Sequence, residues 1–133
     1  MKEVHSIRID GQTVIEAART TPVAARVDVL VVGNGPAGVV AAIAAAREGA
    51  SVLVVERHGM LNGVWTAGLL KSLFDPGRKG YVVDDLVQCL KNADAWRPWP
   101  DGAVEGPAGA GVFDIEAMKV TFERLADDAG VTC

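Results

Sequence analysis

Apolar residues fall into two rhythms along this chain. Residues 27–32, Val-Asp-Val-Leu-Val-Val, form a short, almost continuous apolar run. Such a run predicts a central parallel strand buried on both faces. Residues 51–55 repeat the signal, again β-branched and apolar. Between them residues 36–48 are rich in alanine, turn polar at Arg47-Glu48, and stop at Gly49, which predicts a helix with a glycine end. Strand, helix and strand in that order make a βαβ unit with a short crossover.

Beyond residue 55 the rhythm changes. Residues 58–73 are irregular, and Asp75-Pro76-Gly77-Arg78-Lys79-Gly80 reads as a turn-rich loop. Residues 82–92 predict a helix with Leu86, Val87 and Leu90 on one face. Residues 93–111 carry Pro98, Pro100 and Pro107 and predict a long loop. Asp114 is a suitable N-cap for a helix to about residue 129, with Ile115, Met118, Phe122 and Leu125 as its apolar stripe and Gly130 as its stop. Val131-Thr132-Cys133 reads as the start of a third strand. At the other end, residues 1–26 form an amino-terminal extension. In it apolar residues flank Asp10-Gly11, a hairpin signal, before Thr21-Pro22 breaks the pattern.

The predicted fold is therefore α/β: a Rossmann-like βαβ domain over residues 27–133 behind the 1–26 extension. A doubly wound sheet has five or six strands, and two strands and a stub are visible here. The expectation is an incomplete parallel sheet in a fragment, a truncated product or one subunit of a split enzyme. On that expectation the two later helices lack partners for their apolar faces.

Composition narrows the function classes. The chain has 133 residues, half of them hydrophobic, and a net charge of -4, so it has material for a core and no basic face for nucleic acid. Its two cysteines, Cys89 and Cys133, have no CxxC partner, which argues against a zinc site or a disulfide framework. A cytoplasmic setting is the simplest expectation. The longest apolar stretch, 27–46, is broken by Asp28, Gly33, Asn34, Gly35, Pro36 and Gly38, so no membrane span is expected.

The chemistry lies in those breakers. Gly33-Asn34-Gly35-Pro36-Ala37-Gly38 is GxGxxG, follows a predicted strand, opens a predicted helix, and has Glu56 at the end of the next strand. That context separates a dinucleotide fingerprint from a mere tight turn. Gly33 permits the turn, Gly35 lets a pyrophosphate approach the backbone, and Gly38 lets the helix pack on the sheet, with Ala42 and Ala45 keeping the packing tight. Free N–H groups and the positive dipole end at the helix start favour phosphate. Glu56 is placed to accept from the ribose hydroxyls and disfavours a 2′-phosphate. FAD and NAD share this fingerprint.

The segment after Glu56 separates them. Together with Thr21-Pro22-Val23, residues 27–38 and Val54-Val55-Glu56-Arg57, the run Asn62-Gly63-Val64-Trp65-Thr66-Ala67-Gly68 resembles the FAD-dependent oxidoreductase family. That family's broader relatives include fumarate reductase-like flavoproteins with a glutathione reductase-type FAD-binding Rossmann domain. Phe113-Asp114-Ile115-Glu116 and Ala129-Gly130-Val131 extend the resemblance, which runs from about residue 20 and is strongest through residue 70. It implies FAD held noncovalently. Gly33, Gly35, Pro36, Ala37 and Gly38 are implied to line the pyrophosphate, Glu56 to hold the adenosine ribose and Arg57 to lie near the adenine. Asn62, Gly63 and Thr66 are implied to follow the diphosphate and ribityl chain. Asn34 and Asn62 stand where the family more often has glycine, and asparagine tolerates left-handed backbone.

Other candidates carry less. His58 does not sit where the flavin-linking histidine of fumarate reductase-like relatives is expected and reads as an edge residue. Trp65 reads as a loop anchor, while Trp96 and Trp99 divide evenly between lining a pocket or subunit contact and pinning a proline-rich loop. Asp84-Asp85 and Asp127-Asp128 are adjacent on helices and point apart, so neither pair is expected to bind metal. Catalytic residues and substrate are not identifiable. The expected partners are a small-molecule substrate and a partner chain or second copy that completes the fold. A non-catalytic assembly subunit and an NAD-dependent fragment are the alternatives.

Overall fold

The computed structural model describes residues 7–16, 18, 20–74, 79–99 and 110–133. Residues 75–78 of the expected turn and the loop prolines Pro100 and Pro107 lie outside the described residues.

The amino-terminal hairpin forms as expected. Strands β1 (Ile7–Asp10) and β2 (Thr13–Glu16) pair antiparallel with Asp10 opposite Thr13. Gly11 in the turn has φ 58°, the left-handed conformation glycine adopts without strain.

The βαβ unit follows. Strand β3 (Val29–Val32) and strand β4 (Val52–Val55) run parallel with Val29 opposite Val52, and helix α1 (Pro36–Arg47) connects them. Asp28 ties the two strand starts together. Its Oδ2 accepts from the Ser51 amide at 2.9 Å and the Ser51 hydroxyl at 2.6 Å, and these bonds hold its carboxyl below the usual range. Helix α1 starts with proline at its first position, where the missing N–H costs nothing. Past its end Gly49 takes φ 91°. A parallel bridge joins Leu53 to Thr132, so the expected third strand begins beside β4.

Only one face of this sheet is dry. Val52 and Val54 are buried against Ala42, with Val29, Val31 and Ala45 packed around them. On the other face Leu30 is 56 % exposed, Val32 77 % and Val55 48 %. The expectation of burial on both faces is corrected: α1 covers one side, and among the described residues nothing covers the other.

The second half differs from its prediction in a productive way. Helices α2 (Tyr81–Asn92) and α3 (Ile115–Asp128) form where expected, and Asp114 Oδ1 caps α3 by accepting from the Ala117 amide at 2.8 Å. The predicted loops around them contain three short strands: β5 (Ser72–Leu73), β6 (Trp96–Pro98) and β7 (Gly111–Phe113). They pair antiparallel in the order β5-β7-β6. The sheet closes over a core of Val39 and Ile43 from α1, Leu86 and Leu90 from α2, Met118 and Phe122 from α3, with Leu73, Trp96 and Phe113 from the strands. The late helices therefore have partners, contrary to expectation, and each such fully buried side chain contributes about 1.5–3 kcal/mol. At the helix ends, Arg47 of α1 pairs with Asp85 of α2 at 2.7 Å and lies over the Tyr81 ring.

Candidate functional site

The site forms at the carboxyl ends of β3 and β4, where the glycine-rich turn meets residues 56–66. Gly33 takes φ 89° and makes the turn out of β3. Gly35 precedes the helix as its N-cap, with no side-chain cap bond and no acidic residue in the first turn of α1. The first amides of that helix consequently keep their capacity for an anion. A Cβ built on Gly35 meets nothing within 4 Å, so its outer side is open. A Cβ on Gly38 collides with the Gly33 carbonyl. Glycine at 38 is what allows α1 to start so close to the strand end.

Glu56 links the turn to the loop. Its Oε2 accepts from the Asn34 amide at 2.9 Å, and its Oε1 accepts from the amides of Arg57 at 2.8 Å and His58 at 3.0 Å. The Asn34 and His58 amide bonds, in that order, hold its carboxyl below the usual glutamate range. An ionised carboxylate has about four lone-pair sites, so acceptor capacity remains beyond these three bonds.

Asn34 does more than stand in for glycine. It is buried and has no positive φ. Its carbonyl accepts from the Asn62 amide at 2.9 Å, and its Nδ2 donates to the Met60 carbonyl at 3.3 Å. Asn34 thus laces the glycine turn to the following loop. Asn62 does use the left-handed region, with φ 78°. Gly63 lies against Gly35, with its Cβ position 3.4 Å from the Gly35 Cα. Thr66 is fully buried and donates its hydroxyl to the Leu61 carbonyl, so its side chain shapes the loop interior. Trp65 is the anchor: its ring stands edge-on to Phe113 and stacked near Phe122, both at 6.4 Å.

Beside this junction is a cavity of about 630 Å³. Asn34, Glu56, His58 and Met60 line one side, and Arg124 and Asp127 of α3 line the other. Of the expected site residues, Glu56 is the one that lines this cavity. The glycine turn borders it through Asn34. Arg57 is exposed, lies outside the lining, and donates from Nε to His58 Nε2 at 3.2 Å. The α3 side of the cavity went unforeseen, because the helical stripe signals only the buried face of α3 and says nothing of its opposite edge.

A model of the FAD dependent oxidoreductase family matches residues 28–133. The chain belongs to that family. FAD is accordingly its cofactor, and the α/β fold with its parallel βαβ unit is the corresponding nucleotide-binding architecture. The chain resembles the crystal structure of Thermovibrio ammonificans THI4 with 26% identity and a TM-score of 0.55, over 80% of this chain and 37% of that one. It thus spans well under half of that relative's length. No curated protein matches the chain significantly. Among the described residues no helix is long and apolar enough to cross a membrane.

The residues present fit a dinucleotide. Gly35 is open outward, a side chain at Gly38 would fill the turn, and Glu56 keeps a lone pair on Oε2 beside the cavity. The unpartnered Asn34 Oδ1 and the unpartnered Asn62 carboxamide belong to the same junction.

Proposed function

We propose that this chain is the FAD-holding part of a flavin-dependent oxidoreductase of the fumarate reductase-like and glutathione reductase-type group, with FAD bound noncovalently. The carrying observation is the bond from the Asn34 amide to Glu56 at 2.9 Å, which joins the glycine turn to the rim of a cavity. Gly33, Gly35, Pro36, Ala37 and Gly38 receive the pyrophosphate at the start of α1, where amides and dipole favour negative charge. Glu56 takes the adenosine ribose with the remaining lone pair of Oε2, and the cavity walled by α3 takes the adenine. Gly63, Asn62 and the turn shaped by Thr66 follow the diphosphate toward the ribityl chain. When bound, the isoalloxazine supplies the redox chemistry, and the protein supplies position and exclusion of water. The exposed Leu30, Val32 and Val55 support a partner chain or second copy as part of this reading. A small-molecule substrate and a cytoplasmic setting also belong to it.

The test is the visible spectrum of the purified chain after FAD addition and desalting. Flavin bands that survive desalting and vanish in Gly35→Val bear the reading out. A chain that folds and stays colourless with micromolar FAD overturns it.

A further inference from the structure

Large apolar side chains crowd the surface of the loop that follows the glycine turn. Val64, Leu69, Leu70 and Phe74 are all exposed, Leu69 to 66 %. Leu73 turns into the core, and Phe74, next along the chain, turns out. The Phe74 ring meets the Trp99 ring at 5.7 Å and 46°, which sets an aromatic pair at the far end of the patch. Leu69 is its least comfortable member. The φ of this leucine is 58°, a left-handed conformation that bulky residues rarely adopt.

The backbone around Leu69 holds that conformation in place. The Gly68 amide donates to the Gly63 carbonyl at 2.9 Å, the Leu69 amide to Thr66 at 3.3 Å and the Leu70 amide to Val64 at 3.0 Å. A Cβ on Gly68 would stand 2.8 Å from the Val64 Cα and carbonyl oxygen, so the loop folds back as closely as glycine permits. A tight turn thus presents to solvent a leucine in left-handed backbone. For the chain alone asparagine suits this position better, since it tolerates that backbone and is at home in water. Strain kept at such a residue points to a use for its side chain. The course of the loop indicates which use. Residues 58–61 line the cavity beside Glu56, Gly63 touches Gly35, and Val64, Leu69, Leu70 and Phe74 follow outside that cavity. Along the loop, the start of α1 comes between the cavity and the patch.

We propose that this patch is one wall of the substrate site and that the substrate meets it with an aromatic body. The inference rests on the FAD-holding reading above and adds to it the chemical class of the substrate. With the adenosine half in the cavity and the diphosphate at α1, the ring end of FAD extends toward the patch, and the substrate has to reach that ring. Leu69 is the side chain held out to it, and Phe74 with Trp99 offers an aromatic surface on which a flat molecule packs. A substrate rich in hydroxyls or charges would gain nothing from four apolar neighbours and would lose water to them.

The test uses the full chain loaded with FAD, and indole as the probe. Indole is expected to shift the flavin absorption bands and quench the flavin fluorescence in a saturable way, and succinate at the same concentrations to do neither. Leu69→Asn and Phe74→Ser each weaken indole binding by about tenfold, the order of effect of losing one large buried apolar side chain. Both variants retain FAD through desalting as the parent does, and Leu69→Asn without ligand unfolds at no lower a temperature. Indole that leaves the flavin spectrum unchanged, succinate that acts in its place, or variants that bind indole like the parent overturn the wall. So does a Leu69→Asn chain that unfolds earlier, or one that releases FAD, since the leucine then serves the fold or the cofactor. If the parent holds no FAD, the FAD-holding reading falls and this inference with it. A parent that holds FAD and ignores indole sinks this inference alone.

Discussion

The two faces of the β3–β4 sheet are built from nearly the same residues and meet opposite surroundings. Val29, Val31, Val52 and Val54 point toward α1 and pack with Ala42 and Ala45. Leu30, Val32 and Val55 point the other way and stand largely in water. Side chains alternate across a strand, so this difference arises between neighbours along a single β3. Its lesson is that an apolar run records an intention to be covered on both faces, while packing within this chain supplies one cover. The dry side also carries the larger core, because α1 turns Val39 and Ile43 away from the sheet toward α2 and α3.

This comparison is broken most severely from the dry side. Phe122 is fully buried beneath Trp65, and Phe122→Ala is expected to cost about 3–5 kcal/mol, read from urea unfolding. A loss below 1 kcal/mol would mean that the α3 core does not hold the dry side together. Gly38→Ala comes next. Its Cβ meets the Gly33 carbonyl, so α1 must shift, at about 1–3 kcal/mol. Retained FAD must then fall more than stability alone accounts for. Equal FAD retention would show that the start of α1 is not held by this close approach.

A matched pair of substitutions sharpens the contrast directly. Val54→Thr buries a hydroxyl on the dry face and is expected to cost about 1–3 kcal/mol. Val32→Thr, on the exposed face, stays within about 0.5 kcal/mol. Equal costs in thermal unfolding would mean that the second face is covered in solution, for example by a second copy, and sedimentation would then show it.

The smallest effect lies at the rim where the two faces meet the site. The Glu56 carboxyl is held low by the Asn34 and His58 amides, so its contribution is fully present above the ordinary glutamate value of about 4.3. It is lost as pH falls through the lowered folded value. Exposure to solvent keeps the contribution small. Glu56→Gln is expected to flatten the acid limb of the stability profile as pH falls below the ordinary glutamate value and to leave neutral stability almost unchanged. An unaltered acid limb would remove Glu56 as the tie between turn and loop.

How much of this was legible depended on how local each signal is. The βαβ unit, its glycine turn, Glu56, the Asp114 cap and both late helices are visible in the sequence, because periodicity, caps and turns are written in neighbouring residues. Strands β5, β6 and β7 lie in stretches whose sequence predicts loop. With two or three residues each they are too short to show a period of two. Their pairing joins Ser72 to Val112 and Trp96 to Phe113 across long stretches of chain. The tight contact at Gly111, where a Cβ would enter the Trp96 ring, is likewise invisible until the strands meet.

By itself the sequence determined the class of fold, the family resemblance and the residues at the nucleotide turn, since each is a pattern of neighbours with a local steric or hydrogen-bonding cause. The tertiary structure alone decided which face of the sheet is dry, and that Thr66 turns inward. It also decided that α3 walls the cavity beside Glu56 and that Asn62 is shut in without partners. Those outcomes depend on which distant surfaces come into contact, and burial is a property of that contact rather than of any residue in it.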